Sequence, residues 1–411
     1  MIDAAKIRRE FPMYRNNITM QNKPLIWLDN ASTTFKPDCV LKAVEDYYTK
    51  ETSNSHRGDY DLCFNIDTKI QECRETVQHF INAKSSTEIV FTSGTTGSIN
   101  LVAFGYGSTH LTKDDEILIT EAEHASNVLP WYKVSEMTGC KVNFIPLTED
   151  GRLTVENLRS VISSKTKIVA IAHVTNVLGY IAPLKELAAV AHEFGAVVVA
   201  DGAQSVPHIK TDVQDLDVDF LAFSAHKLCG PTGIGVLYGK FDLLKVTEPM
   251  MTGGGMNAKF DMCGDVGYLN PPMRFEAGTL NVEGILGLTA AVKYIESIGI
   301  ENIEAYEREL KEYAVQELKK TGNCTIYNEK SEAAIVTFNI TDVFAQDAAT
   351  FLNSKGIACR SGQHCAKILN DYLGVVATVR ASFYFYTTKE DIDALADAVK
   401  HGKEFLDAYF I

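Results

Sequence analysis

The sequence lacks the features of a membrane protein and of a nucleic-acid-binding protein. It has no run of about 20 consecutive apolar residues, the length that a membrane-spanning helix needs. Basic residues are few, 39 against 53 acidic ones, and the formal net charge of -14 disfavours binding to phosphate backbones and anionic membranes. Residues 1–14 carry charged side chains rather than the apolar segment of a signal peptide. We therefore expect a cytoplasmic protein whose partners are small molecules or other proteins.

Disulfide-type cysteine spacing, internal repeats and low-complexity segments are also missing. The nine cysteines are scattered over 411 residues, so in a reducing compartment a single distinctive cysteine indicates chemistry rather than a disulfide framework. Hydrophobic residues make up 46% and charged residues 22%, as in ordinary globular proteins. A chain of this length is expected to form one large and one small domain.

Between residues 88 and 239, short apolar segments alternate with helical patterns, and each apolar segment ends in a turn. This alternation is typical of an α/β fold with a mostly parallel central sheet covered by helices on both faces. The predicted strands are residues 89–92, 117–120, 142–147, 168–173, 197–200 and 220–224. A helix is predicted over 184–194, with Pro183 in its first turn and Gly195 after its end. Polar clusters that follow the strands predict the binding site, because ligands bind outside the carboxyl ends of such strands.

The second half of the chain predicts a smaller unit. Residues 252–272 are rich in glycine and proline and are expected to form a mobile or interface loop. From residue 290 on, a helical pattern, an apolar strand (334–340), a helix (346–355) and a final helix (389–405) indicate an α+β domain. We therefore predict an N-terminal segment (1–20) that packs on the small domain, a large domain (21–290) and a small domain (291–411).

Two predicted strand ends carry a carboxylate and an amine. Asp201 follows the strand 197–200, and Lys227 follows the strand 220–224 after two residues. Pyridoxal phosphate (PLP) needs such a pair, a lysine to form a Schiff base and an acid to keep the pyridine nitrogen protonated. Either residue alone is better explained as a surface lysine or a helix-capping aspartate. The two in this order favour the cofactor.

Two further turns supply groups that a phosphorylated ring needs. The turn Ser93-Gly94-Thr95-Thr96-Gly97 offers backbone N–H groups and hydroxyls that can hold a phosphate, although an ordinary helix cap has the same pattern. His124 follows the strand 117–120, where an imidazole could stack on a cofactor ring and move protons. The alternative for His124 is a hydrogen-bonded loop histidine.

A reactive thiol and an arginine are predicted near the end of the chain. Cys365 lies in a glycine-containing loop with Arg360 and His364, neighbours that lower a thiol pKa, whereas Cys359 is better explained as a buried, inert cysteine. A buried, inert role is also open for Cys365. The loop lacks the ligand number and spacing of a zinc site, so no metal is predicted. Arg380 lies among apolar and small residues and needs an anionic partner, either a substrate carboxylate or an acidic side chain.

Together these segments resemble the Suf-type (group II) cysteine desulfurases, class V enzymes of the fold-type-I PLP-dependent transferases, over nearly the whole chain. The matching segments are Leu28-Asp29-Asn30-Ala31-Ser32, Glu123-His124-Ala125-Ser126-Asn127, Ala200-Asp201-Gly202-Ala203-Gln204, Ser224-Ala225-His226-Lys227-Leu228-Cys229-Gly230-Pro231, Arg274-Phe275-Glu276-Ala277-Gly278-Thr279 and Arg360-Ser361-Gly362-Gln363-His364-Cys365.

The resemblance implies a role for each candidate residue. The large domain would bind PLP, and the small domain would carry the catalytic cysteine loop. The implied ring contacts are Lys227 as the Schiff-base lysine, Asp201 at the pyridine nitrogen, Gln204 at the ring hydroxyl and His124 stacked on the ring. The implied phosphate contacts are Thr95, Thr96, Ser224, His226 and, from the neighbouring subunit of a homodimer, Thr279. The implied substrate contacts are Asn176, Arg380 and Arg360.

The implied reaction converts L-cysteine to L-alanine and leaves the sulfur on Cys365 as a persulfide for iron–sulfur cluster assembly. The acceptor would be a SufE-like or SufU-like protein or a SUF scaffold. Gln363 stands where the family commonly has a histidine, Gly97 where it has an acidic residue, and Gln346 near the position of a histidine found in relatives that pass sulfur to a zinc-bearing scaffold.

Other functions remain open at this stage. A selenocysteine lyase, another class V lyase or aminotransferase would use Lys227 without needing a thiol, so Cys365 favours the desulfurase. A catalytically silent scaffold is disfavoured by the intact Lys227, Asp201 and Arg380.

Overall fold

The computed structural model describes residues 2–55 and 58–409, so Met1, His56, Arg57, Phe410 and Ile411 of the predicted domain ranges lie outside the described residues. Its strands are β1 (Thr19–Met20), β2 (Lys23–Pro24), β3 (Ile26–Trp27), β4 (Ile89–Thr92), β5 (Glu116–Thr120), β6 (Lys141–Ile145), β7 (Thr166–Ala172), β8 (Val197–Asp201), β9 (Phe220–Ser224), β10 (Gly235–Gly239), β11 (Asn257–Phe260), β12 (Val266–Tyr268), β13 (Cys324–Ile326), β14 (Ile335–Ile340), β15 (Ile357–Ala358), β16 (Arg360–Gly362) and β17 (Thr378–Ser382).

The helices surround these strands. They are α1 (Ala4–Ile7), α2 (Pro12–Arg15), α3 (Asp38–Asp46), α4 (Asp61–Phe80), α5 (Thr95–Val102), α6 (Ser108–His110), α7 (Leu129–Thr138), α8 (Val155–Arg159), α9 (Leu184–Glu193), α10 (Val213–Leu216), α11 (Phe241–Val246), α12 (Val282–Ile298), α13 (Ile300–Thr321), α14 (Ala345–Ser354), α15 (Lys367–Leu373) and α16 (Lys389–Lys400). Pro183 is the N-cap of α9, one position before the predicted first turn. The last predicted helix ends at Lys400 and a 3-10 helix follows it. Across the described residues, no helix combines the length and apolarity needed to cross a membrane.

A seven-stranded sheet forms the centre of the fold, in the order β4-β10-β9-β8-β7-β5-β6. The pairs from β9 to β6 are parallel, and β10 is antiparallel to both of its neighbours. Strands β7, β8 and β9 are apolar and almost wholly buried, as expected where helices cover both faces. The predicted mostly parallel sheet is confirmed.

The strand topology brings the polar turns to one edge of this sheet. Asp201 and Ser224 end β8 and β9, and the turn after β4 begins α5. Strand β10 runs in the opposite direction and therefore begins at the same edge, where Gly235 pairs with Ser224 and Thr92. A Cβ atom on Gly235 would lie 2.5 Å from the Cα atom of Gly94, so glycine permits this close approach.

A second sheet, β13-β14-β17-β16, is antiparallel and packs with α13, α14 and α16 around its own apolar cluster. Strand β3 pairs with β15 of this unit. Near the N-terminus, Arg8 forms an ion pair with Asp391, and Phe11 packs edge-on against Tyr386. The predicted domain boundary at residue 290 lies within α12. The predicted loop 252–272 contains the hairpin β11–β12, in which Phe260 is exposed.

Candidate active site

A cavity of about 240 Å³ lies at the carboxyl edge of the central sheet. Strand ends of the large sheet form one wall, and the loop with Cys365 and the strand β17 form another. The predicted site residues that line it are Thr95, Thr96, His124, Asn176, Asp201, Gln204, Ser224, His226, Lys227, Arg360, Cys365 and Arg380. The structure describes all of the predicted site residues, and Thr279 is the one among them that does not line the cavity.

Asp201 is a buried carboxylate at the end of β8. Its side chain is 5% exposed, and its Oδ1 atom accepts a hydrogen bond from the Ala203 N–H at 2.9 Å. Burial raises the pKa of Asp201, and the Ala203 N–H and the charge of Lys227 oppose that rise. A buried carboxylate with so few partners is costly unless a cation meets it. The protonated pyridine nitrogen of PLP is such a cation, so Asp201 fits the predicted cofactor.

Lys227 lies in the 3-10 turn that follows β9. Its amine forms no hydrogen bond or ion pair with the described residues, although it lines the cavity. Burial lowers the pKa of Lys227 to about 8, Asp201 raises that pKa, and Arg380 and Arg360 lower it. An amine with a lowered pKa is a nucleophile near neutral pH. The alternatives of an exposed lysine and a helix-capping aspartate do not hold for Lys227 and Asp201.

The first turn of α5 forms a cradle suited to a phosphate. Gly94 is the N-cap of this helix with a φ of 141°, a conformation that glycine adopts freely. The Thr95 N–H donates to Ser224 Oγ at 2.8 Å, and Thr96 Oγ1 lies 2.8 Å from Ser126 Oγ. The N–H groups of a first helical turn lack partners within the helix and attract anions. His226, from the turn that also carries Lys227, lines the same cavity.

His124 lines the cavity as a neutral imidazole. Its Nδ1 atom accepts a hydrogen bond from the Ser126 N–H at 3.1 Å. Burial lowers the pKa of His124 to about 4, and the charges of Lys227 and Arg380 lower it further. His124 thus has the hydrogen bond of its alternative and also lines the cavity with Lys227, so its stacking on a cofactor ring stays a prediction.

The Cys365 loop reaches the mouth of the cavity and has an unusual backbone. His364 and Cys365 have φ values of 52° and 56°, in the left-handed region that non-glycine residues seldom adopt. The Cys365 carbonyl accepts a hydrogen bond from the Ala125 N–H at 2.7 Å, and the His364 carbonyl accepts one from Asn176 Nδ2 at 2.9 Å. These two bonds hold the loop against the large domain and leave the Cys365 side chain exposed, which excludes the buried, inert alternative for this cysteine.

His364 does not supply a positive charge to the thiol. Its Nε2 atom lies 3.1 Å from the Thr378 carbonyl and 2.9 Å from Thr378 Oγ1, and its Nδ1 atom has no partner. Burial lowers the pKa of His364 to about 3, with Arg380 acting in the same direction. His364 is therefore a neutral imidazole, and the cation of that loop is Arg360. Cys359 has a pKa raised by burial, as an inert cysteine should.

Arg380 has an acidic side chain as partner, which is one of the two alternatives that the sequence left open. Its Nη2 atom lies 3.4 Å from Asp29 Oδ1, and its Nη1 atom donates to the Asn176 carbonyl at 2.7 Å. Its Nε atom has no partner, and the guanidinium lines the cavity. Arg360 Nε contacts the other oxygen of Asp29 at 3.2 Å. The sequence had assigned no role to Asp29, although it lies in one of the matching segments.

Gln204 and Thr279 differ in whether they line the cavity. Gln204 lines the cavity and donates to the Ala31 carbonyl at 2.7 Å. Thr279 is exposed in the loop after the 3-10 turn Met273–Phe275 and does not line the cavity of its own chain. No group of three or more histidine, cysteine, aspartate or glutamate side chains suited to a metal ion occurs within residues 2–55 and 58–409.

Known proteins resemble this chain over its whole length. The family model described as Aminotransferase class-V matches residues 26–395. A probable cysteine desulfurase of Halalkalibacterium halodurans is 47% identical over 100% of both chains. One of Staphylococcus epidermidis is 44% identical over 99% of this chain and 98% of its own. The crystal structure of the cysteine desulfurase CsdA (S-sulfonic acid) from Escherichia coli superimposes with a TM-score of 0.91 and 37% identity, covering 98% of this chain and 99% of that one. The chain therefore belongs to the Aminotransferase class-V family of PLP-dependent enzymes.

Proposed function

We propose that this protein is a cysteine desulfurase that converts L-cysteine to L-alanine and takes the sulfur onto Cys365 as a persulfide. The observation that carries the proposal is the Cys365 thiol at the mouth of the cavity that also holds the Lys227 amine. Other reactions of class V enzymes need the lysine but not a thiol. The names of the similar proteins support the same activity.

Lys227 and Asp201 would carry the cofactor chemistry. Bound PLP supplies an electron sink that weakens the bond between Cβ and sulfur of the substrate. Lys227 would hold PLP covalently and would move the proton from the substrate Cα atom. Its pKa of about 8 suits an amine that gains and loses protons near neutral pH. Asp201 would hold the ring nitrogen, and Gln204 and His124 would contact the ring.

Cys365 would carry out the sulfur transfer. Its thiolate attacks the substrate sulfur, a sulfur–sulfur bond forms, and the bond between Cβ and sulfur breaks. The electron pair of the broken bond stays on Cβ, which takes up a proton and becomes the methyl group of alanine. A reductant or an acceptor thiol then removes the persulfide sulfur and frees the Cys365 thiol.

Different lining residues would hold the substrate and the phosphate. Asn176, Arg380 and Arg360 line the cavity and would hold the substrate carboxylate. Thr95, Thr96, Ser224 and His226 also line it and would hold the phosphate, with Thr279 of the neighbouring subunit of a homodimer. In domain terms, residues 21–290 would bind PLP, residues 291–411 would carry the cysteine loop, and residues 1–20 would pack on the small domain.

The persulfide would supply iron–sulfur cluster assembly through a SufE-like or SufU-like acceptor or a SUF scaffold. The exposed Cys365 side chain is accessible to an acceptor protein. All nine cysteines are free, which fits a reducing compartment such as the cytoplasm.

The test compares the parent protein with Cys365→Ala and Cys39→Ala. With L-cysteine and a reductant, the parent should release alanine and sulfide in equal amounts. Cys365→Ala should keep the change in cofactor absorbance on adding L-cysteine but form almost no sulfide, because cofactor chemistry needs no thiol. Cys39→Ala, which removes another exposed thiol, should behave as the parent. Alanine release from L-cysteine by Cys365→Ala at the parent rate would contradict the proposal. Cleavage of selenocysteine alone would indicate a selenocysteine lyase.

A further inference from the structure

Asp29 is held in a fixed position beside the strand that carries Arg380. It follows β3 and forms a parallel β-bridge with Ser382 of β17. The neighbouring residues reinforce this register, because Asn30 Nδ2 donates to the Ser382 carbonyl and the Ala31 N–H donates to Ser382 Oγ, both at 2.8 Å. These contacts fix the backbone of Asp29 beside β17, the strand that carries Arg380.

The Asp29 carboxylate joins the two arginines of the cavity. Its Oδ2 atom lies 3.2 Å from Arg360 Nε, and its Oδ1 atom lies 3.4 Å from Arg380 Nη2. Arg360 and Arg380 are directly opposite each other in the β16–β17 pair. Ser32 Oγ also donates to Oδ2 at 2.6 Å, so both carboxylate oxygens have partners. Asp29 does not line the cavity, and it must therefore act through the arginines.

The charges of this cluster leave room for one anion. Among residues 2–55 and 58–409, Asp29 is the one acidic residue that forms an ion pair with Arg360 or Arg380. Two guanidinium groups and one carboxylate have a net charge of one positive unit. The Arg380 Nε atom is buried without a partner, and its guanidinium faces the cavity. A single carboxylate from a ligand would neutralise the cluster.

We propose that Asp29 is a positioning residue that holds Arg360 and Arg380 together as the receptor for the substrate carboxylate and limits their net charge to one. The proposal rests on the proposed function and names its ligand class, an α-amino acid with one carboxylate. A second carboxylate on the ligand would find no free cation in the cluster. Arg360, whose side chain is 47% exposed, depends on Asp29 for its position.

Removing the charge of Asp29 has a second consequence that extends to Lys227. The charges of Arg380 and Arg360 lower the pKa of Lys227, after the larger effect of burial. Asp29 offsets part of that positive charge. Asp29→Asn keeps the size of the side chain but leaves both guanidinium groups without an anion, so the pKa of the linkage between Lys227 and PLP should fall.

The experiment uses the PLP-loaded protein and its Asp29→Asn, Asp29→Glu and Asp38→Asn variants. Asp38 forms an exposed ion pair with Arg15 and serves as the matched control. The cofactor absorbance is titrated against pH without substrate, and the affinity for L-alanine is measured from its effect on that absorbance. Because L-alanine carries the carboxylate but no sulfur, this binding test stays valid if the desulfurase assignment fails.

For Asp29→Asn we expect a pH midpoint lower by about one unit. The affinity for L-alanine should fall by about tenfold despite the added positive charge, because the two guanidinium groups repel each other and lose the position that Asp29 gives them. KM for L-cysteine should rise by a similar factor while kcat changes by less than about threefold, because the clamp binds substrate and transition state alike. Asp29→Glu should restore the midpoint but not the full affinity, since the charge returns at a displaced position. Asp38→Asn should match the parent in all measurements.

Two results would overturn the proposal. One is an Asp29→Asn protein whose midpoint and L-alanine affinity both equal those of the parent. The other result applies if Asp29→Asn does not fold. If Asp29→Glu then binds L-alanine as tightly as the parent does, the position of the carboxylate is unimportant.

Discussion

At the scale of single residues, the pKa of Lys227 depends on the surroundings of its amine rather than on the residue type alone. Burial and the nearby arginines lower its pKa to about 8, and the Asp201 carboxylate raises that pKa. PLP added to the apoprotein should therefore form a borohydride-reducible linkage with a pH midpoint near 8. Asp201→Asn should move that midpoint to lower pH, because the carboxylate favours the protonated amine.

Peptide mapping identifies the labelled lysine, and Lys210→Ala serves as the control because Lys210 is an exposed lysine outside the cavity. Label that stays on Lys227 with a midpoint near that of an exposed lysine, about 10.4, would contradict the effect of burial. Label on another lysine would mean that the site is misplaced.

The sequence predicted site residues whose partners lie nearby along the chain, and it missed the role of a residue whose partner lies far away. Asp201 and Lys227 each follow a predicted strand, and strand ends of a parallel sheet share an edge, so their meeting could be predicted. Asp29 contacts Arg380 from 351 positions away, next to an isolated β-bridge with Ser382 that no local pattern reveals. The sequence places the His364 imidazole beside Cys365, but the charge of that imidazole depends on burial, which the sequence does not show.

At the scale of elements, a buried ion pair joins α4 to the loop that carries Thr279. Arg74 and Glu276 form two parallel contacts of 2.8 Å with side chains at most 6% exposed, and Glu276 also accepts from the Phe91 N–H of β4. Glu276→Gln should lower the free energy of unfolding by about 3–5 kcal/mol, because it leaves a buried guanidinium without its anion. Urea unfolding of the PLP-loaded protein measures this.

The control is Glu193→Gln, which breaks the exposed pair with Arg159 and should change the free energy of unfolding by less than about 1 kcal/mol. The double variant Arg74→Met, Glu276→Met should recover much of the stability that Glu276→Gln loses, since it leaves no unpaired charge. Equal losses for the buried and exposed pairs would refute the argument.

The predicted elements were accurate where a strand ends in polar or glycine residues. The strands β4, β5, β8 and β9 begin and end within one residue of their predicted positions, because apolar runs and turn residues mark both ends. Strand β10 was not predicted as a separate strand. Its antiparallel direction depends on the short connection after Lys227 rather than on its own residues. The final helix was predicted to continue past Lys400, where the chain changes to a 3-10 helix.

At the scale of the whole molecule, composition and alternation of strands and helices were enough to predict the fold class but not the assembly. The central sheet follows from the apolar strands, whereas a shared active site depends on a surface of a second chain. Phe260 and Met262 are exposed on the hairpin of the loop 252–272, which is consistent with an interface at that place. Thr279 lies in the next loop, held at its base by Glu276.

If the active site is shared as proposed, defective subunits should complement each other. Thr279→Ala homodimers should bind PLP more weakly, because each phosphate would lose a hydroxyl from the neighbouring subunit. Lys227→Ala homodimers should be inactive. In a hybrid dimer, the Lys227→Ala subunit still supplies Thr279 to the site whose own Lys227 is intact, so each hybrid has one complete site. Random mixing of equal amounts should thus restore about a quarter of the parent sites. The measurement is desulfurase activity after the two variants are dissociated and reassociated, with each variant treated alone as the control. Thr279→Ala homodimers that bind PLP normally and keep full activity would show that each subunit forms its site alone.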